Sequence, residues 1–171
     1  MFNINDYVVY KTNGVCQITG IKTETFGNET KDYYILTTVY GNPSNVYVPV
    51  DNEALVSKMK RIISVEKIHD IIDKSADKNV DWIDNDRDRN EAYSAMVAEG
   101  EPSLLFSLVK TLYNHKKEVE DAGRKFRAND KRIMDSAEKI LHEEFAMALD
   151  IEPEEVVPFI KSELEKNNSA S

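Results

Sequence analysis

The hydrophobic period changes once along this chain, and that change limits its architecture more than any other feature. Up to about residue 60, short β-branched and aromatic runs alternate with turn-forming stretches. YVVYK (7–11), VCQITGIKTET (15–25), KDYYILTTV (31–39) and NVYVPV (45–50) read as strands, with FGNE (26–29) and GNPS (41–44) as turns. Gly20 suggests a bulge in the second run. Pro49 has no N–H for a ladder, so 45–50 is expected at a sheet edge. Four or five short strands in this length predict a small, strongly bent sheet or SH3-like barrel.

Beyond residue 64 the apolar residues recur at helical spacing. SVEKIHDIIDK (64–74) opens on a capping candidate, Ser64, with Val65, Ile68 and Ile72 on one face. A polar connector, 75–82, leads to a helix resuming near 84–89. Tyr93, Met96 and Val97 form its inner face and Gly100 its stop. Pro102 suits the first turn of the next helix, whose stripe is Leu104, Leu105, Leu108, Val109 and Leu112. Asn129 is expected to cap a long helix with Ile133, Ala137, Ile140, Leu141, Phe145 and Ala148 facing inward. Pro153 opens a last helix, Pro158 kinks it or sits in its first turn, and NNSAS is a frayed, disordered tail. The fold class is therefore α+β, with a β module over 1–63 and an all-α domain over 64–171.

Chemistry-bearing motifs are sparse. The chain has no Gly-rich phosphate loop, no G-x-S-x-G, no H-E-x-x-H and one cysteine, Cys16, beside Val15 in a strand. Its three histidines, His69, His115 and His142, fall on three different predicted helices. No enzyme, metal, cofactor or small-molecule substrate is expected. No apolar run approaches the roughly 20 residues of a membrane span, and the start lacks a signal-peptide pattern, so a cytoplasmic protein without membrane contact is expected.

Charge is distributed unevenly. The formal net charge is −9, yet residues 105–142 carry nine Lys/Arg against six Asp/Glu. This basic island runs from Lys110 through Lys116, Lys117, Arg124, Lys125 and Arg127 to Lys131 and Arg132. Such residues bind phosphate by counterion release without reading sequence, and the plain alternative is a solvated charged face. A net acidic chain is a poor free DNA binder and a reasonable DNA contact if something else holds it in place. The single tryptophan, Trp82, lies in VDWIDNDRDRN (80–90), with Arg87 and Arg89 among aspartates. Two readings stand for Trp82: a ring packed onto a neighbouring helix, or a tool turned toward a partner. For NVYVPV the two readings are an edge that stays solvated and an edge that adds to another protein's sheet.

The succession YVVYKTNGVCQITGI, G-x-x-x-x-DYYIL and NVYVPVDN resembles CarD/CdnL-type bacterial transcription regulators. It also resembles the polymerase-interacting module of transcription-repair coupling factors. The Arg-containing segment before a Gly-stop helix, the Leu-rich helix and a D-K-R helix start extend the likeness to CarD/CdnL-type proteins over about residues 1–150. The resemblance implies a Tudor-like N-terminal module that extends a sheet of the RNA polymerase β subunit, at its protrusion lobe. It implies polymerase contacts at Asn45, Val46, Tyr47 and Val48, with Glu24 on the neighbouring strand. It further implies a helical domain touching promoter DNA without sequence readout at the upstream edge of the bubble, and so nucleoid association through the polymerase. Trp82 would be the minor-groove wedge, Arg87 and Arg89 would hold nearby phosphate, Lys131 and Arg132 match the family's basic pair, and Arg124 and Lys125 complete the DNA set. Trp82 lies 18 residues before Gly100, farther than in well-known members, and Asp88 and Glu91 stand where a basic residue is expected. A polymerase-bound adaptor without DNA contact is the alternative.

Overall fold

A computed structural model describes residues 1–169 and divides the chain into two compact units, Met1–Ile62 and Ile63–Ser171. The first unit is an antiparallel sheet of five strands: β1 (Tyr7–Tyr10), β2 (Val15–Phe26), β3 (Glu29–Thr38), β4 (Asn45–Pro49) and β5 (Met59–Arg61). Its order is β4-β3-β2-β1-β5, so β4 and β5 are its two edges and the expected barrel is not closed. A four-residue helix, α1 (Glu53–Val56), capped by the Asn52 side chain, connects the two edges.

Alternation builds the core of this unit. Val8 and Tyr10 on β1, Cys16 and Ile18 on β2, Tyr34 and Leu36 on β3, Val48 on β4 and Met59 on β5 form one buried cluster. Cys16 is fully buried among them, as a small apolar residue. The β2–β3 register slips between Ile18 and Gly20, which is the bulge that Gly20 predicted. The extra residue, Thr19, is held by hydrogen bonds with the Ile35 carbonyl (3.3 Å) and the Thr37 hydroxyl (2.9 Å). Pro49 sits on an edge strand, where its missing N–H interrupts no ladder.

The second unit is helical. Its main helices are α2 (Val65–Asp73), α3 (Asp86–Glu99), α4 (Pro102–Asp121), α5 (Ala128–Leu149) and α6 (Val156–Ser169). Ser64 caps α2 by accepting from the Lys67 N–H at 3.1 Å. The buried face of α2 is Ile68, Ile71 and Ile72. Val65, expected inside, is exposed, because it lies in the first turn ahead of that face. Gly100 ends α3 in the left-handed region (φ 69°, ψ 23°), and Pro102 opens α4 behind the capping carboxylate of Glu101. On α4 the fully buried leucines are Leu105, Leu108 and Leu112, whereas Leu104 and Val109 are only half-buried. Val119 continues the buried stripe one turn pair later. On α5, Ile133, Ala137, Ile140, Leu141 and Phe145 are buried as expected, and Ala148 is half-buried.

Two expectations about helix ends are corrected. Helix α5 begins before Asn129: Arg127 is its N-cap residue without a side-chain cap bond, and the Asn129 amide oxygen instead accepts from Arg132 at 3.0 Å. The physical reason is Asp130, which the first turn carries into the interior. The tail is not frayed over 167–169. There α6 continues through Ser169, and the Asn167 amide donates to Asp73 at 2.7 Å. The last two residues of the NNSAS expectation lie outside the described residues. Pro153 opens a 3-10 turn, Pro153–Glu155, and Pro158 falls in the first turn of α6.

Candidate functional site

In the β unit the candidate residues gather at the β4 edge. Strand β4 pairs only with β3, in the register Ile35 opposite Tyr47 and Tyr34 opposite Val48, so its other side carries a free backbone edge. Side chains alternate along it. Val48 is fully buried and Val46 packs against the core, so these two residues offer a partner their backbone and not their side chains. Asn45 and Tyr47 point the other way and are exposed. The expectation for Glu24 is corrected. It lies on β2, opposite Lys31, and β3 stands between it and β4, because the strands follow one another as a meander.

Around Tyr47 the strands assemble an aromatic cluster that sequence reading did not single out. Phe26 meets Tyr33 at 5.2 Å and Tyr47 at 5.5 Å between ring centroids, and Tyr33 meets Tyr47 at 6.2 Å, all edge-to-face. Phe26 and Tyr47 remain half-exposed beside the free edge, while Tyr33 is buried. The signal was the two-residue alternation, which places these three rings on one face once the β2–β3 hairpin register is known.

In the helical unit the candidate residues converge on Trp82. The stretch before α3 is extended, and Asn85 caps the helix by accepting from the Asp88 N–H at 3.0 Å. Asp86 and Asp88 therefore occupy the first turn, where negative charge is favoured by the helix dipole. The aspartates that look hostile to DNA are in part helix-start residues. Trp82 is partly buried. Its ring stacks on His115 of α4, with centroids 3.6 Å apart and planes 20° from parallel, and Tyr93 of α3 meets its edge at 6.1 Å. The Arg89 guanidinium lies over the ring, 4.5 Å from its centroid. Tyr93 is locked in turn by a hydrogen bond to the Asp81 carbonyl at 2.7 Å, and burial pushes its phenol above the ordinary range.

Arg89 is corrected from phosphate contact to internal clamp. It is only 3% exposed. Its Nε and Nη2 donate to the two carboxylate oxygens of Asp130, Nη2 also to Asp86, and Nη1 to the carbonyls of Ile83 and Asp84. These five bonds match the number of N–H donors on a guanidinium, so none is left for a phosphate. The Asp130 hydrogen bonds, ahead of those from Asp86, hold its pKa above the ordinary value.

Trp82, Arg124 and Lys125 line one pocket of about 310 Å3, together with His115, Phe126 and Asp84. Arg124 and Lys125 are exposed. Arg127, at the same rim, is tied to Asp86 by a 2.6 Å ion pair. Burial pushes the His115 imidazole below its usual pKa. Lys131 and Arg132 do not join this pocket; they line a separate groove on α5 with Asp135, Ser136 and Lys139. There Lys131 pairs with Asp135 at 2.7 Å, and that bond holds its ammonium pKa above the ordinary value. Arg87 is exposed on the first turn of α3 and lines neither cavity. Lys110, first in the basic island, turns inward to the carbonyls of Ser75 and Lys78. His115 and Phe126 were missed as site residues. The signal was RKFR (124–127), an aromatic interleaved with cations.

Among the described residues no group of three or more His, Cys, Asp or Glu side chains is placed to hold a metal ion, and no helix is long and apolar enough to cross a membrane. His69 pairs with Glu163 at 3.2 Å and packs against Phe159, a helix-to-helix contact. Residues 2–63 match the family model described as the CarD-like/TRCF RID domain.

Proposed function

Since residues 2–63 belong to the CarD-like family of RNA polymerase-interacting domains, we propose that this chain is a non-enzymatic transcription regulator carried by RNA polymerase. Strand β4 adds to a sheet of the β subunit at its protrusion lobe, through its backbone and through Asn45 and Tyr47. The helical unit contacts promoter DNA at the upstream edge of the bubble and slows its closure. The observation that carries this reading is the match over residues 2–63, and the free β4 edge gives it a physical route.

The DNA part is supported by the grouping of Trp82 with Arg124 and Lys125, and by the second basic patch at Lys131 and Arg132. These residues carry no base-reading arrangement, so the contact is to backbone and shape. Tethering through the β unit supplies an effective concentration of about millimolar, which lets a weak DNA site act within an acidic chain. The acidic surroundings then limit stray DNA binding away from the polymerase.

A second reading, a polymerase-bound adaptor without DNA contact, is favoured by one observation: Trp82 is packed against His115 and Arg89 instead of projecting freely. Open-complex lifetime with the Trp82→Ala protein separates the two. A shortened lifetime with polymerase binding intact supports the DNA-contacting regulator. An unchanged lifetime supports the adaptor. Failure of the full chain to bind the polymerase β subunit would sink both.

A further inference from the structure

The pocket beside Trp82 has a composition that neither sheet extension nor a duplex phosphate contact uses. Its walls carry three rings, Trp82, His115 and Phe126, and its rim carries two exposed cations, Arg124 and Lys125. Asp84 adds a carboxylate on the other wall. The volume, about 310 Å3, lies at the lower end of the roughly 300–1,000 Å3 typical of small-ligand sites. A flat apolar ring is not held by cations alone, and a bare phosphate has no use for aromatic walls. A ligand that satisfies both is an aromatic base carrying a phosphate.

From this we infer that the pocket formed by Trp82, His115, Phe126, Arg124 and Lys125 binds one nucleotide, its base against the aromatic wall and its phosphate on the two cations. Asp84 is placed to accept a hydrogen bond from a base amine and to turn the phosphate toward the 124–125 side. Duplex DNA cannot supply this ligand, because its bases are stacked and paired. An unpaired residue of a melted strand can, and so can a free nucleotide. The inference rests on the reading of this face as a nucleic-acid contact and sharpens it: the preferred partner is the unpaired strand.

Arg89 and Asp130 make the pocket a built feature. Their pairing fixes the segment that carries Trp82, and Arg127 bound to Asp86 ties the opposite rim to the start of α3. The ring is therefore held in place before any ligand arrives, which lowers the ordering cost of binding.

Trp82 is the only tryptophan of the chain, so its fluorescence reports this pocket directly. The full-length protein is titrated with deoxyguanosine monophosphate, with a ten-nucleotide single strand, and with the same sequence as a duplex. The expected result is a saturable change with the single strand, at least tenfold tighter than any change with the duplex. The Arg124→Ala/Lys125→Ala protein, whose exposed positions leave the thermal midpoint unchanged, should bind about tenfold more weakly. A response to the mononucleotide alone keeps the nucleotide site and identifies the free nucleotide as its source. No saturable response to either single strand or mononucleotide overturns the inference, as does equal affinity in the double variant. A response confined to the duplex also overturns it, while leaving the promoter-contact reading standing.

Discussion

Arg89 and Asp130 form a bidentate ion pair in the interior of the helical unit, with Nε and Nη2 each 2.9 Å from a carboxylate oxygen and both residues almost wholly buried. The pair joins the first turn of α3 to the first turn of α5, and through Arg89 it also holds the Ile83 and Asp84 carbonyls next to Trp82. Removing one partner leaves an uncompensated buried charge. Asp130→Ala is expected to cost about 3–5 kcal/mol of stability. Arg89→Lys should recover only part of the loss, because an ammonium cannot reproduce the fork. Urea unfolding measures both, and a loss under about 1 kcal/mol for Asp130→Ala would show that the pair is not the hub of this region.

At the β4 edge, Tyr47 and Phe26 are half-exposed and their rings are 5.5 Å apart. Replacing both by alanine should weaken binding to the polymerase β subunit about tenfold, the scale of an interface anchor of roughly 1.4 kcal/mol. Folding should suffer less, since neither ring belongs to the buried core. Calorimetry against the isolated protrusion reads the affinity, and an unchanged constant would remove the aromatic cluster from the interface.

Lys131 and Arg132 are exposed on the first turns of α5. If they contact phosphate, Lys131→Glu/Arg132→Glu should shorten open-complex lifetime to a similar degree at every promoter. The salt dependence should fall by about 0.9 in log–log slope per lost contact. Lifetimes at several salt concentrations on two unrelated promoters test this, and a strongly promoter-selective loss would contradict a phosphate role.

The imidazoles of His142 and His115 are both held below the usual 6.5 by burial. A histidine depressed in the folded state is protonated first in the unfolded chain, so the unfolded state binds more protons just below pH 6.5. Stability from these residues is therefore fully present above that value and is lost as pH falls toward the folded pKa. His142→Gln should flatten the decline in unfolding free energy between pH 7.5 and 5.5. An identical decline in the wild type and the variant would exclude His142 as its source.

Much of the architecture was legible along the chain because the signals are local. Ser64, Gly100 and Pro102 mark helix ends through their own backbone chemistry. Gly20 marks the bulge and Pro49 the edge strand for the same reason. Helix faces were legible to within a residue or two. Val65 came out exposed and Ile71 buried because the first turn of α2 precedes the face that α2 buries. The site was less legible. Arg124, Lys125 and Trp82 were named separately in the sequence, and only the fold brings them to one pocket with His115 and Phe126.

What the sequence by itself determined was the division into a sheet and a helical unit, the strand that must lie at the edge, and the helix boundaries. Each depends on period, φ preference or a missing N–H within a few residues. Only the tertiary structure decided what the charged residues do. Arg87 and Arg89 are two positions apart and look alike in the sequence, yet Arg87 faces solvent and Arg89 is buried. A cation can be buried only where an anion meets it, and the anion here is Asp130, 41 residues further along the chain.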